Sequence, residues 1–150
     1  MGSRIDTLIA QCPSWDAFRE LVSHQKTTKD KGDLFERLTQ LYLLTSPIYR
    51  SKIKNVWWCN NGELPEQVRK KVNLPSEDEG IDLLCETKAG EFWSVQSKYR
   101  SNSDQPLTTK ELSKFVSLSF VTGKNISQGL IVHTSTKKIK KHTLIDLEIE

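Results

Sequence analysis

Asp82, Gln96 and Lys98 bring a carboxylate, an amide oxygen and an ammonium to two apolar runs, Ile81 to Cys85 and Phe92 to Val95, separated by Thr87-Lys88-Ala89-Gly90-Glu91. The pattern reads as strand, glycine-containing turn, strand. With Lys88, Ala89 and Gly90 as a three-residue loop and Gly90 left-handed, Thr87 pairs with Glu91 and Asp82 falls opposite Gln96. Opposed residues of an antiparallel pair have Cβ atoms about 4.5–5.5 Å apart, and alternation then puts Asp82, Gln96 and Lys98 on one face. A two-residue loop would slip the register by one and set Asp82 against Val95 or Ser97. The chemistry that uses such a trio is metal-dependent phosphodiester hydrolysis. A hard cation such as Mg²⁺ takes carboxylate and carbonyl oxygens, and a neighbouring ammonium orients the attacking water and offsets charge on the phosphate. The same residues also suit a plain solvated sheet face, so the trio by itself leaves both readings open.

A carboxylate on a helix is the second component. Asp30-Lys31-Gly32-Asp33-Leu34-Phe35-Glu36-Arg37-Leu38 opens with Asp30 as the expected cap and Asp33 three residues on, then runs apolar at helical spacing through Leu34, Phe35, Leu38, Leu41 and Tyr42. Glu36 points away from that stripe, but Leu43 lies beside it and Leu44 widens the apolar surface. It is therefore expected to face a second packed layer, the alternative being an ordinary exposed helix acid.

Taken together, Lys31-Gly32-Asp33-Leu34-Phe35-Glu36 on a helix, Gly80-Ile81-Asp82 on a strand, and Trp93, Gln96 and Lys98 on the next strand resemble the PD-(D/E)XK nuclease superfamily. More narrowly they resemble the Mrr-like catalytic domain of restriction endonucleases, often found at the N-terminal end of large restriction helicases. The resemblance covers roughly residues 28 to 133. Each motif is short, and the order and spacing of all three carry the signal.

The resemblance implies a three-layer α/β fold of the restriction-endonuclease type and a metal-dependent DNA endonuclease acting in restriction or phage defence. Asp82 becomes the principal metal ligand, Gln96 stands where the family usually has a second acid, Glu36 supports the metal directly or through water, and Lys98 is the catalytic lysine. The expected cofactor is Mg²⁺, with Mn²⁺ as a substitute. DNA is the expected partner, with Lys31, Arg100, Lys137 and Lys138 as candidate contacts. A homodimer would supply two sites for a double-strand break, and a fused or associated helicase would supply ATPase activity. Two departures stand out: Gln96 removes one negative charge from the usual set, and Ile81 precedes Asp82 where the signature has proline. Asp78 and Glu79 lie just upstream and either restore charge or remain solvated loop acids. A nuclease-like DNA-binding or docking module without catalysis, and a structure-selective resolvase or repair nuclease, are the alternative functions.

The rest of the chain is compatible with one domain. Its 150 residues are 36% hydrophobic, with a net charge of +3 and a pI near 8.7, a mildly basic balance that permits nucleic-acid binding without requiring it. The basic residues gather at Arg50, Lys52 and Lys54, at Arg69 to Lys71, and at Lys137 to Lys141. Trp57 and Trp58 either stack on a base or, on a strand reading of residues 53–59, enter the core. Cys12, Cys59 and Cys85 have no C-x-x-C spacing and His24, His133 and His142 are scattered, which points to buried thiols in a reducing cytoplasm rather than to zinc or a disulfide framework. No apolar run is long enough for a membrane span, the N-terminal residues lack a signal-peptide core, and Leu118 and Asn125 break the phosphate-loop pattern around Gly123-Lys124.

The elements expected are helices at 15–23, from 30 onward, from Pro65 to Val72 and at 108–121, with strands at 52–58, 80–86, 92–98, 128–133 and 143–149. A helical extension (1–27), a nuclease core (28–133) and a basic C-terminal segment with a last strand (134–150) divide the domain. The order gives a mixed sheet flanked by helices.

Overall fold

A computed structural model describes residues 3–60, 62–75, 80–102 and 104–135. The chain runs α1 (Ser3–Ala10), α2 (Trp15–Ser23), α3 (Thr28–Thr45), α4 (Pro47–Arg50), β1 (Ile53–Trp58), α5 (Glu66–Val72), β2 (Leu83–Thr87), β3 (Phe92–Lys98), α6 (Thr109–Val116), a π-helical segment (Ser117–Thr122) and β4 (Ile126–His133). The four strands form one sheet in the order β1-β2-β3-β4. The first two pairings are antiparallel and β3–β4 is parallel. A mixed sheet between helical layers is the expected α/β architecture. The expected strand at 143–149 lies outside the described residues.

The β2–β3 turn sets the frame for the site. Thr87 N–H donates to Glu91 O at 2.8 Å, Gly90 N–H donates back to Thr87 O at 3.0 Å, and Gly90 has φ +86°. This is the three-residue loop with a left-handed glycine, and it fixes Leu83 opposite Val95, Leu84 opposite Ser94 and Cys85 opposite Trp93. The register is the one the turn residues imply.

Apolar side chains fill both faces of the sheet. On one face, Leu43 of α3 packs with Val56, Trp58, Leu83, Cys85, Trp93, Val95 and Leu130. On the other, Val68 and Val72 of α5 and Leu112 and Phe115 of α6 pack with Leu84, Phe92 and Ile131. Leu112 and Phe115 are fully buried, each worth about 1.5–3 kcal/mol against leaving it in water. A third cluster joins α2 to α3 through Phe18, Val22, Leu34 and Phe35, with Ile5, Leu8 and Ile9 of α1 against it. An Arg37–Asp6 ion pair at 2.7 Å ties α1 to α3.

Several local expectations are corrected. Thr27, not Asp30, caps α3: its hydroxyl accepts from Asp30 N–H at 3.0 Å, so the helix begins at Thr28 and Asp30 lies in its first turn. Tyr42 is not part of the buried stripe; it is 49% exposed and meets Tyr49 edge-on. The buried face instead includes Thr39 and Gln40. Gln40 belongs there because its amide donates to Val56 O at 2.7 Å and to Glu63 at 2.9 Å. The expected 108–121 helix splits. Thr108 and Glu111 form a reciprocal capping box at the α6 N-terminus, but after Val116 the chain widens into a π-helix. Ser119 in that segment is 1% exposed and its hydroxyl meets that of Ser94 at 2.7 Å. One strand also starts later than expected: Gly80 to Asp82 lead into β2, which begins at Leu83.

Candidate active site

The site is assembled at the open end of the β2–β3 hairpin. Asp82 is held by backbone on both sides: its N–H donates to Val95 O at 3.0 Å and its C=O accepts from Cys59 N–H at 3.0 Å. This bridging takes the chain off the regular ladder just before Leu83. The Asp82 carboxylate then turns toward β3, where Ser97 N–H donates to it at 2.8 Å and the Ser97 hydroxyl lies at 3.3 Å. Gly80 two residues earlier passes so close to the π-helical segment that a Cβ there would meet the Leu118 side chain at 2.5 Å. A side chain at position 80 would thus have to displace the Leu118 methyl on the approach to the site.

α3 brings the second carboxyl. Glu36 is half-buried and hydrogen-bonded to Asp82, and burial together with the Asp82 charge pushes its pKa up to about 8. Burial also raises the pKa of Asp82, against the Ser97 N–H and the Lys98 charge, which favour its ionised form. Two carboxyls in this position share a proton: Glu36 holds it and donates to Asp82. The expectation that Glu36 faces a packed layer holds, and its partner is the strand carboxylate itself.

β3 supplies the remaining groups. Gln96 is 3% exposed, and its Oε1 is buried with no hydrogen-bond partner. An unpaired buried amide oxygen costs about 1–3 kcal/mol. Strand alternation puts Lys98 on the same face as Gln96, and Lys98 lies within electrostatic reach of Asp82 and of Glu111 on α6. Glu111 also accepts from Thr108 N–H at 2.9 Å and pairs with Arg100. Burial works against its charge, but Thr108 N–H, Arg100 and Lys98 hold it below the ordinary carboxylate range.

The donor set suits a hard divalent cation. Two carboxyls and one orphaned amide oxygen are oxygen ligands of the kind Mg²⁺ accepts. Among the described residues no group of three His, Cys, Asp or Glu side chains could hold a metal, so a site here depends on the amide as the third oxygen.

The sequence-derived DNA contacts fare differently. Lys31 is half-buried and lines a polar cleft between α2, α3 and the end of β3. Arg100 is committed to Glu111, its side chain 13% exposed. Lys137, Lys138, Asp78 and Glu79 lie outside the described residues. Trp58 is 3% exposed and in the core, with Trp57 packed partly against the other sheet face. Cys85 is buried, which pushes its thiol up to about 12 and leaves it inert. Ser97 and Glu111 were not identified from sequence. Ser97 acts through its backbone N–H, which any residue type supplies, and Glu111 is legible only as the third residue of a capping box. No described helix is long and apolar enough to cross a membrane.

Comparison with known proteins gives the arrangement a context. A family model described as restriction endonuclease matches residues 44–148, from the last turn of α3 onward. Among solved structures, the ATP-dependent Type ISP restriction-modification enzyme LlaBIII bound to DNA is similar at 25% identity and a TM-score of 0.56. The match covers 88% of this chain and 8% of that enzyme. No curated protein matches the chain.

Proposed function

The chain belongs to the Mrr-type restriction endonuclease family, and from that premise we propose that it is a Mg²⁺-dependent DNA endonuclease domain, cytoplasmic and working in restriction or phage defence. The observation that carries this is the hydrogen-bonded Glu36–Asp82 pair with Lys98 in electrostatic reach of Asp82; the unpartnered Gln96 Oε1 two residues before Lys98 is the third oxygen of the proposed set.

Asp82, Glu36 and Gln96 Oε1 would hold the cation, and Mn²⁺ would substitute for it. When bound, it supplies positive charge to the scissile phosphate and acidifies a water at neutral pH. The protein does the rest through fixed groups. Ser97 N–H aims the Asp82 carboxylate, so the ligand oxygens are set before metal arrives. Glu36 would have to release its proton to solvent to serve as a ligand. Lys98 orients the attacking water and offsets charge growing on the phosphate oxygens. Glu111, held by Thr108 N–H and Arg100 at the start of α6, lies within electrostatic reach of Lys98.

The low coverage of LlaBIII, 8%, supports a role as one module of, or partner to, a larger ATP-dependent enzyme. One site cuts one strand, so a double-strand break needs two copies of the chain or two successive nicks.

Supercoiled plasmid incubated with the chain in Mg²⁺ or Mn²⁺ tests the reading. Nicking or linearisation is expected, with a loss of at least about 100-fold in Asp82→Ala and in Lys98→Ala. Cleavage undiminished in both variants would remove the site. DNA binding without cleavage in either metal would favour a catalytically silent binding module, and a preference for four-way junctions over linear duplex would favour a resolvase.

A further inference from the structure

A cleft opens on the side of α3 that faces α2. It measures about 330 Å³ and is lined by Arg19 and Ser23 of α2, Lys31 of α3, and Tyr99 and Ser101 beyond the end of β3. Aromatic packing joins the elements that carry it: Trp15 stacks on Phe18, Trp15 meets Phe35 edge-on, and the rings of Phe35 and Tyr99, the latter lining the cleft, lie 5.8 Å apart. Lys31 is one helical turn before Phe35 and so projects on the same side of α3. Arg19 is likewise one turn beyond Trp15 on α2. Neither cation has a carboxylate partner among the described residues. Two cations, two carboxylates (Asp16 and Glu20), two hydroxyls and a phenol therefore line one polar hollow.

Its position links it to the chemistry. Tyr99 follows Lys98 directly, and Lys29 and Asp33, in the first turns of α3, act electrostatically on Glu36. A nucleic-acid strand with one phosphate at Asp82 and Lys98 must pass either toward this cleft or away from it. Among the described residues, this cleft brings together a guanidinium and an ammonium without carboxylate partners, in the combination that suits phosphate oxygens.

We infer that the α2–α3 cleft is a phosphate subsite, in which Arg19 and Lys31, with Tyr99 and Ser101 as hydroxyl donors, hold a backbone phosphate of the strand being cut, next to the scissile one. The inference rests on the nuclease reading for the identity of the ligand, a DNA strand, and not for the chemistry of the cleft. Asp16 and Glu20 also line the hollow, both exposed. They limit how tightly it holds an anion and supply a second handle on the subsite.

The test is equilibrium binding of the 150-residue chain to a labelled DNA duplex in EDTA, followed by fluorescence anisotropy between about 50 and 200 mM salt. Losing two phosphate contacts lowers the slope of log affinity against log salt by about 1.8, at roughly 0.9 per contact. That drop is expected for Arg19→Ala/Lys31→Ala, with the wild-type slope kept in Arg19→Lys/Lys31→Arg. Asp16→Asn/Glu20→Gln is expected to tighten binding. In metal-dependent cleavage the alanine pair should raise KM and leave kcat within about twofold, since neither residue touches the scissile phosphate. A slope in the alanine pair equal to wild type, or no duplex binding by the wild-type chain, overturns the subsite. Because binding is read without metal, a chain that loses the expected slope but never cleaves keeps the subsite and loses the nuclease reading. A chain that cleaves with an unaltered slope does the reverse.

Discussion

The Glu36 carboxyl on α3 is hydrogen-bonded to the Asp82 carboxylate at the start of β2, and this contact joins the helical layer to the sheet at the point where the site forms. With Glu36 pushed up to about 8, the pair holds one proton at neutral pH, which a cation bound there would displace. Its consequences are measurable without any activity assay.

The first concerns stability against pH. Glu36 titrates near 8 in the folded chain against about 4.5 in the unfolded one. A folded value above the unfolded one means stability that is fully present below about pH 4.5 and lost as pH rises through 8. Burial shifts Asp82 in the same direction. Glu36→Gln keeps a neutral donor to Asp82 at every pH. In EDTA its Tm should match wild type at pH 5 and exceed it at pH 9 by about 3–6 °C, on the order of 1–2 kcal/mol. An equal shift at both pH values would mean that Glu36 does not carry the proton.

The second concerns metal and stability together. Mn²⁺ at about a hundred times its Kd should stabilise the wild-type chain by about 2.7 kcal/mol, read as a rise in Tm at pH 8. Entry of the cation should release protons, so calorimetry in buffers of different ionisation enthalpy should give different apparent heats. Asp82→Asn should abolish both effects. A Tm rise retained in that variant would place the cation elsewhere.

Gln96→Glu tests the departure from the usual second acid. A third carboxyl beside Glu36 and Asp82 adds like-charge repulsion to an already buried group. The variant should bind Mn²⁺ roughly tenfold more tightly and melt at lower temperature than wild type in EDTA at pH 8. Unchanged affinity would show that residue 96 is not a ligand.

The turn offers a structural prediction. Gly90 has φ +86° and nothing within 4 Å of an added Cβ, so Gly90→Ala is opposed by conformation and not by crowding. A loss of about 1 kcal/mol is expected, with the Mn²⁺ affinity of the folded chain retained because the register is also pinned by the ladder. A larger loss, accompanied by weaker metal binding, would show that the turn alone sets the register.

Local signals were the readable ones. Gly90 and its neighbours specify a three-residue loop, and that loop gives the β2–β3 register as far as Leu83 and Val95. Alternation puts Gln96 and Lys98 together. What the sequence leaves hidden depends on tertiary partners or backbone groups. Thr39 and Gln40 occupy the buried face of α3 where an apolar stripe leads one to expect Tyr42, because Val56 O and Glu63 are there to receive Gln40. The change from α- to π-helix after Val116 goes with the buried Ser94–Ser119 contact, two residues far apart in sequence. The Glu36–Asp82 hydrogen bond had no local signal beyond the family resemblance, and the Arg100–Glu111 pair joins the end of β3 to α6 through partners that no local pattern links.

The central claim is that Asp82, Glu36 and Gln96 form one cation site, and the most direct test is anomalous diffraction from crystals of the chain soaked in Mn²⁺. A single anomalous peak is expected within about 2.0–2.6 Å of the Asp82 carboxylate and Gln96 Oε1, with Glu36 bound directly or through a water. A soaked crystal with no peak between Asp82 and Gln96, or with its peak on other residues, would contradict it.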